Sequence, residues 1–337
     1  MNARTHFRPP AQRQRGVALI IALILVALAT VLASKLTFDG FLERRRAVGV
    51  LAAEQAQQFG MGAEALAADV LARDQQTSPN LTTLAASWAQ PTQPQPITPQ
   101  DDPEAEPIGI WEGSLEDLQG RFNLNNLGRV ISDGKGGSMQ DPVPLEQFQR
   151  LLAAVGLETK WAGMARDWID ADDVPGSPDG AEDAVYTSQT PPYRTGNWPM
   201  MSASELMSLA GFGADRYHKI APFVTALPAA NVPINICTAS VQVIESLDEK
   251  LNGSGLGTPE EIANARKSGC FPDTSTFNSM MGTELTKKLN GLYGTTSKYF
   301  RLTTRVTLGN TEFTLYSLLL RVNGGKVTPL LRSFGTT

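Results

Sequence analysis

The hydrophobic pattern changes character three times along the chain. Residues 17–33 are apolar on every side, with Thr30 as the only polar member. That suits a membrane-crossing helix at the short end of the usual range, because a core helix is normally apolar on one stripe only. Beyond it, Phe38, Phe41, Leu42, Val48, Leu51, Phe59, Leu66, Val70 and Leu71 lie among Arg, Glu, Gln and Asp, with no proline before Pro79. This spacing predicts that the helix continues, now amphipathic, to about Gln75. Near the C-terminus, residues 299–308, 311–322 and 326–331 alternate polar and apolar, with turn signals at Gly309-Asn310 and Asn323-Gly324-Gly325. They predict a three-stranded meander.

Between these ends, residues 89–107 hold six prolines and no aromatic residue, the composition of an exposed loop. Short β-favourable pieces follow at 108–111 and 114–119, then the turn-rich Gly120-Arg121-Phe122-Asn123-Leu124-Asn125. Helical patterns occur at 145–157, 205–209, 241–247, 259–267 and 284–292. Two early strand fragments are hardly stable alone and need the C-terminal strands as partners, so the helical interval reads as an insertion into a sheet. The expected fold class is α+β, a long N-terminal helix and an antiparallel sheet carrying a large inserted α-helical domain.

Composition narrows the chemistry. A chain of 337 residues, 42% apolar and 19% charged, has room for about two folded units and is neither disordered nor collagen-like. The net charge of -5 gives no electrostatic case for the whole molecule holding nucleic acid. The only histidines are His6 and His218 and the only cysteines Cys237 and Cys270, so the common His and Cys metal sites and His-assisted triads lack parts. Oxygen-ligand cation sites and carboxylate chemistry remain, and no enzymatic activity is expected. The segment Gly255-Leu256-Gly257, Ile262-Ala263-Asn264-Ala265-Arg266 and Gly269-Cys270-Phe271 resembles a helix-hairpin-helix. Residues 229–297 nevertheless carry five Lys or Arg against seven Asp or Glu, so the hairpin reads as a packing unit rather than a DNA reader.

Arg4, Arg8, Arg13 and Arg15 precede Gly16 without an acid. A basic leader and an apolar run could be a secretory signal cut near Ala27-Leu28-Ala29 or Leu32-Ala33-Ser34, or a retained anchor. Either way the body leaves the cytoplasm. Flanking charge does not orient the span, because Lys35 and Arg44 to Arg46 match the four leader arginines. The junction Arg15-Gly16-Val17 resembles the type IV prepilin leader. Members of that family are cut after the glycine and methylated on the new N-terminus, which implies that Gly16 and Val17 flank the cut and that the helix is kept. Most pilins and pseudopilins have glutamate at the fifth mature position, where this chain has Ile21. A carboxylate in hydrocarbon is costly unless paired, so a subunit with none ahead of it, at the tip, has no partner for that acid.

An ordered set of short pieces then extends the likeness over nearly the whole chain: Arg15-Gly16-Val17-Ala18-Leu19-Ile20, Gly120-Arg121-Phe122-Asn123-Leu124-Asn125, Asp167-Trp168-Ile169-Asp170-Ala171-Asp172, Gly180-Ala181-Glu182-Asp183 with Tyr186, Pro192-Tyr193-Arg194, and Ile234-Asn235-Ile236 before Thr238-Ala239-Ser240. Together they resemble the minor pseudopilin K (GspK) family of type II secretion systems. The resemblance implies a type IV pilin-like fold, with helix-hairpin-helix-like (SAM-like) units in the inserted domain. It implies a place at the apex of the pseudopilus with minor pseudopilins I and J, nucleating or capping assembly. The other expected partners are further pseudopilins, the prepilin peptidase and the inner-membrane assembly platform, with no nucleic acid. The location is the bacterial inner membrane, crossed once, with the body in the periplasm.

The expected organisation is a leader at 1–16, a spine helix at 17–75 with 17–36 in the membrane, and a first part of the sheet at 76–128. An inserted domain follows at 129–297, made of an acidic-loop part 140–228 and a hairpin part 229–297, and the closing meander spans 298–337. The competing readings are a minor type IV pilin or DNA-uptake pseudopilin holding DNA by the hairpin, and a membrane-anchored periplasmic calcium-binding protein.

Two features concern chemistry. Seven acids lie between Asp167 and Asp183 with no Lys, Arg or His among them. Composition alone leaves a solvated acidic loop and a Ca²⁺ site both open, and the spacing is not that of an EF-hand. The family resemblance implies calcium, with Asp170, Asp172, Glu182 and Asp183 as ligands and backbone carbonyls completing the shell. Asp167, at a helix end three residues before Asp170, is also placed to cap or orient. In an oxidising compartment Cys237 and Cys270 are expected to form a disulfide, the alternative being two buried thiols.

Overall fold

In the computed structural model, which describes residues 15–90, 92–99, 102, 104–251, 255–322 and 324–335, the apolar run and its amphipathic continuation form one helix, α1 (Arg15–Thr77). The leader arginines Arg4, Arg8 and Arg13 lie outside the described residues. Contacts divide the chain into an N-terminal unit, Met1–Ala56, and a body, Gln57–Thr337. In the N-terminal unit the apolar residues from Val17 to Leu36 are all solvent-exposed, and the helix is long and apolar enough to cross a bilayer.

The body is organised by a five-stranded antiparallel sheet of β1 (Gln95–Ile97), β2 (Gly109–Asp117), β3 (Tyr299–Leu308), β4 (Thr311–Arg321) and β5 (Val327–Phe334), with spatial order equal to chain order. Alternation puts Phe300, Leu302 and Leu319 on the face that meets Ala67, Leu71 and Trp88. Glu64 of α1 accepts from Ser317 Oγ at 2.5 Å and receives both Arg332 nitrogens at 2.7 and 2.9 Å. Both sheet edges are blunted against further pairing: β1 contains Pro96, and β5 contains Pro329 next to a register shift at Leu318/Leu319.

Two expectations for this region need correction. The proline-rich stretch is not loop throughout, since Gln95–Ile97 pairs with β2 and buries Ile97. An edge strand tolerates the proline that a central strand would not. The two fragments around Gly113 are one strand, because β3 supplies partners along its whole length from Gly109↔Leu308 to Asp117↔Phe300.

Residues 118–298 leave the sheet at the end of β2 and return at the start of β3. They fold into short helices and bridges around one large apolar core, in which Phe122 stacks on Phe148 at 5.2 Å and Trp161 meets Phe212 edge-on at 5.2 Å. Local sequence explains where the helices begin. Asp141 caps α2 (Pro142–Ala154), which has proline in its first turn; Thr258 and Glu261 form a capping box on Pro259–Ala265; and Asp273 caps Thr274–Lys288. Of the helix α3 (Trp161–Ile169) only the end at Asp167 was expected, and the helix Gly213–Ile220 had no counterpart among the expected elements. The turn-rich Phe122 to Asn126 segment is buried. Asn125 Nδ2 donates to Met200 and Leu227 carbonyls, and Asn126 Nδ2 donates to that of Val232, so asparagines satisfy interior backbone where the core is made of loops.

The seam between sheet and insertion is polar. Asp117, at the end of β2, accepts from Gln119 N and Asn235 Nδ2 at 2.9 Å and from Thr238 Oγ1 and Ser297 Oγ at 2.6 Å. Beside it Arg321 is 4% exposed, lies 2.8 Å from Asp74 Oδ2, and donates to Thr82 Oγ1 and Ser297 O. Replacing Arg321 by methionine would strand Asp74 and these acceptors in the interior. R321M should therefore lower the stability of the full chain in neutral detergent by about 3 kcal/mol or more, read from the urea midpoint. R73M, which removes the exposed Arg73–Asp69 pair, should leave that midpoint unchanged.

Candidate metal centre

The acidic segment is folded by its first carboxylate. Asp167 lies in the last turn of α3 and is 1% exposed, and its Oδ2 accepts from Gly176 N and Ala181 N, both at 2.9 Å. These two bonds draw the far end of the loop back onto the helix, and Gly180 N closes onto Gly176 O at 2.6 Å. The turn is tight enough that a Cβ on Gly180 would stand 2.2 Å from Asp167 Oδ2, so only glycine is accommodated there. Asp167 therefore orients the loop, one of the roles open to it from sequence.

Closing the loop brings Asp170, Asp172 and Glu182 together, with one carboxylate oxygen from each lying within 4.8 Å of the others. Asp170 Oδ2 accepts from Gln140 Nε2 at 2.9 Å, and Asp172 Oδ1 accepts from Val174 N at 2.9 Å. Asp170 Oδ1 and both oxygens of Glu182 are buried with no hydrogen-bond partner. The donors that meet here are all carboxylate oxygens, and although the Arg166 guanidinium offsets part of the charge on Asp167 and Asp170, the set fits a hard divalent cation.

Asp183, the fourth residue expected at the site, is turned elsewhere. Its Oδ1 accepts from Thr195 N and Oγ1 at 3.1 and 3.0 Å, and its Oδ2 meets Arg194 at 3.1 Å. Asp173 accepts from Asn197 Nδ2 at 3.0 Å. Gln140, Thr195 and Asn197 were not singled out from sequence: they sit well away from the acidic run and belong to no motif, so only the folded chain reveals them.

The crowding and burial of these acids show in how tightly they hold their protons. Burial pushes the Glu182 carboxyl up to about 7, helped by the charges on Asp167 and Asp170. Burial also lifts Asp167 and Asp170 above the ordinary carboxylate range, against the hydrogen bonds they accept. The Tyr186 hydroxyl, buried nearby without a partner, is raised as well, first by burial and then by Tyr193, Asp167 and Glu182.

Elsewhere in the insertion Cys237 and Cys270 are joined by a disulfide. Arg266, 5% exposed, braces both sides of it, donating to Ile236 O at 2.9 Å and Phe271 O at 2.8 Å.

Residues 120–229 match the family model for type II secretion system protein K. The chain is 32% identical to type II secretion system protein K of Aeromonas hydrophila over 97% of its own length and 99% of the relative's. It is 33% identical to the protein of that name from Pseudomonas aeruginosa over 96% of its own length and 93% of the relative's. It also shares a fold, at a TM-score of 0.72 and 24% identity, with a chain in the crystal structure of the GspK-GspI-GspJ complex from the type 2 secretion system of enterotoxigenic Escherichia coli; the match covers 87% of this chain and all of that one.

The raised carboxyls set a pH dependence. Because Asp167, Asp170 and Glu182 hold protons more tightly folded than unfolded, their contribution to the stability of the metal-free chain is fully present below their unfolded values and is lost as pH rises, Glu182's share going through about 7. Urea midpoints measured with chelator from about pH 5 to about pH 8 should fall with pH, and E182Q should flatten that fall.

Proposed function

Because the chain belongs to the type II secretion system protein K family, we propose that it is the minor pseudopilin at the tip of the type II secretion pseudopilus, nucleating or capping assembly for protein export across the outer membrane. The observation that carries this reading is the end-to-end match to protein K relatives. A long helix packed by an antiparallel sheet is the arrangement expected of a pilin-like subunit. The apolar stretch offers Ile21 where a subunit with a neighbour ahead would need an acid. The bulk of residues 118–298 then bars a further subunit from stacking on top.

The complex in which the shared fold was crystallised contains GspI and GspJ, and I- and J-type minor pseudopilins are the partners proposed here. Other pseudopilins and the inner-membrane assembly platform complete the set. The prepilin peptidase cuts between Gly16 and Val17, the new terminus is methylated, and residues 17–36 anchor the protein in the inner membrane with the body in the periplasm. The hairpin-like segment, closed by the disulfide, serves packing.

Calcium is the cation proposed for Asp170, Asp172 and Glu182, with loop carbonyls filling the shell. Ca²⁺ accepts 6 to 8 oxygens at flexible geometry, whereas Mg²⁺ demands a near-octahedral set. Its role is structural, neutralising the loop and holding its turn.

Protein matured in cells that contain the peptidase should begin with methylated Val17, copurify with I- and J-type subunits, and be confined to fibre tips by immunogold labelling. A mature start at Thr30 or Lys35, or labelling along the shaft, would overturn the reading. Calcium at about a hundredfold excess over its dissociation constant should raise the melting temperature of the full chain by about 5 °C, an effect lost in D170N and E182Q.

A further inference from the structure

Past the apolar stretch, α1 presents Arg44, Arg45 and Arg46 in succession, all three exposed. At 3.6 residues per turn the three side chains fan over about 200° of the helix circumference, more than half of it, with Glu43 in the remaining arc and Lys35 about 13 Å nearer the apolar stretch. Among the described residues none of the three guanidiniums meets a carboxylate, although Asp39 and Glu43 are close in sequence. Arg45 instead lies over the Phe41 ring at 4.6 Å. In the body, by contrast, Arg121, Arg129, Arg150, Arg301, Arg321 and Arg332 each pair with an acid.

Helix geometry aims these charges. A hydrocarbon core about 30 Å thick, entered at Val17, consumes about 20 residues and ends near Leu36. The Arg44 backbone stands about 12 Å farther on. Helical side chains lean toward the N-terminus, here toward the apolar stretch, and a long arginine snorkels back over roughly half that distance. This brings the guanidiniums to the headgroup layer, with Phe38, Phe41 and Leu42 supplying apolar surface beneath them.

We propose that Arg44, Arg45 and Arg46 form a collar that binds the phosphates of anionic phospholipids in the leaflet at the C-terminal end of the apolar stretch. The inference rests on the membrane-anchored reading above. A guanidinium presents a planar fork of donors to phosphate oxygens. Anionic lipid is favoured over zwitterionic lipid, whose own ammonium group competes for the phosphate. An arc of charge wider than half the circumference suits a ligand that surrounds the helix, whereas an acid on a neighbouring protein would meet one side only.

The test uses the full chain in neutral detergent, first floated with vesicles of phosphatidylcholine alone, then titrated with phosphatidylglycerol against phosphatidylcholine, with bound lipid counted by native mass spectrometry. The chain should float, and phosphatidylglycerol should be retained in preference. R44Q/R45Q/R46Q should float equally well but lose the preference, about fivefold per charge and on the order of a hundredfold for all three. R44K/R45K/R46K should keep part of it. Failure to float overturns the anchored reading and the collar together, whereas flotation with equal retention of the two lipids overturns the collar alone. A glutamine variant that retains phosphatidylglycerol normally yet no longer copurifies with I- and J-type subunits assigns the arginines to a protein partner and also overturns it.

Discussion

A single buried carboxylate ties the body together. Asp117 ends β2, and the groups that satisfy it come from Gln119 just beyond the strand, Asn235 and Thr238 midway through the insertion, and Ser297 as the chain returns to the sheet. Asn235 reaches onward to Thr82 O at 3.0 Å, beside the Arg321–Asp74 pair that fastens the sheet to α1. Burial raises the Asp117 carboxyl in spite of its four donors. A half-satisfied cluster in such a place is worse than none, so these chain segments have to be in position at the same time. Sheet and insertion accordingly behave as one body.

The same economy governs the acidic loop. Asp167 spends its Oδ2 on two backbone amides and so decides which acids converge. Asp183 and Asp173 are drawn off by Thr195, Arg194 and Asn197, leaving Asp170, Asp172 and Glu182 facing one another. The loop is thus assembled by hydrogen bonds that engage part of its negative charge, and the remainder is concentrated on the three acids that face one another.

What could be read from sequence followed from periodicity. The strands of the meander alternate cleanly, and the structure places them at Tyr299–Leu308, Thr311–Arg321 and Val327–Phe334. The helix from the apolar run onward has no proline to stop it before Pro79, and α1 ends at Thr77. Periodicity is silent where a structure is short or made by distant partners. Strand β1 is three residues with a proline inside, recognisable only once β2 pairs with it. Helix α3 is nine residues, about two and a half turns, too short for periodicity to mark where it starts, so only its end at Asp167 was legible. At the candidate metal centre the acid run was conspicuous, but which acids face one another depended on Gly176, Ala181 and Thr195, whose backbone amides carry no signature in the sequence.

Strands β2 and β3 are neighbours in register, so everything from residue 118 to 298 occupies the place of a hairpin turn. The entropy of closing a loop grows only with the logarithm of its length, about 0.6 kcal/mol per doubling. A lineage could therefore enlarge, trim or exchange this lobe without disturbing a single strand pairing, provided that the departing and returning ends still met at Asp117 and Ser297. What has to stay fixed is the doorway, where the departing strand and the returning one share a hydrogen bond whatever length of chain lies between them.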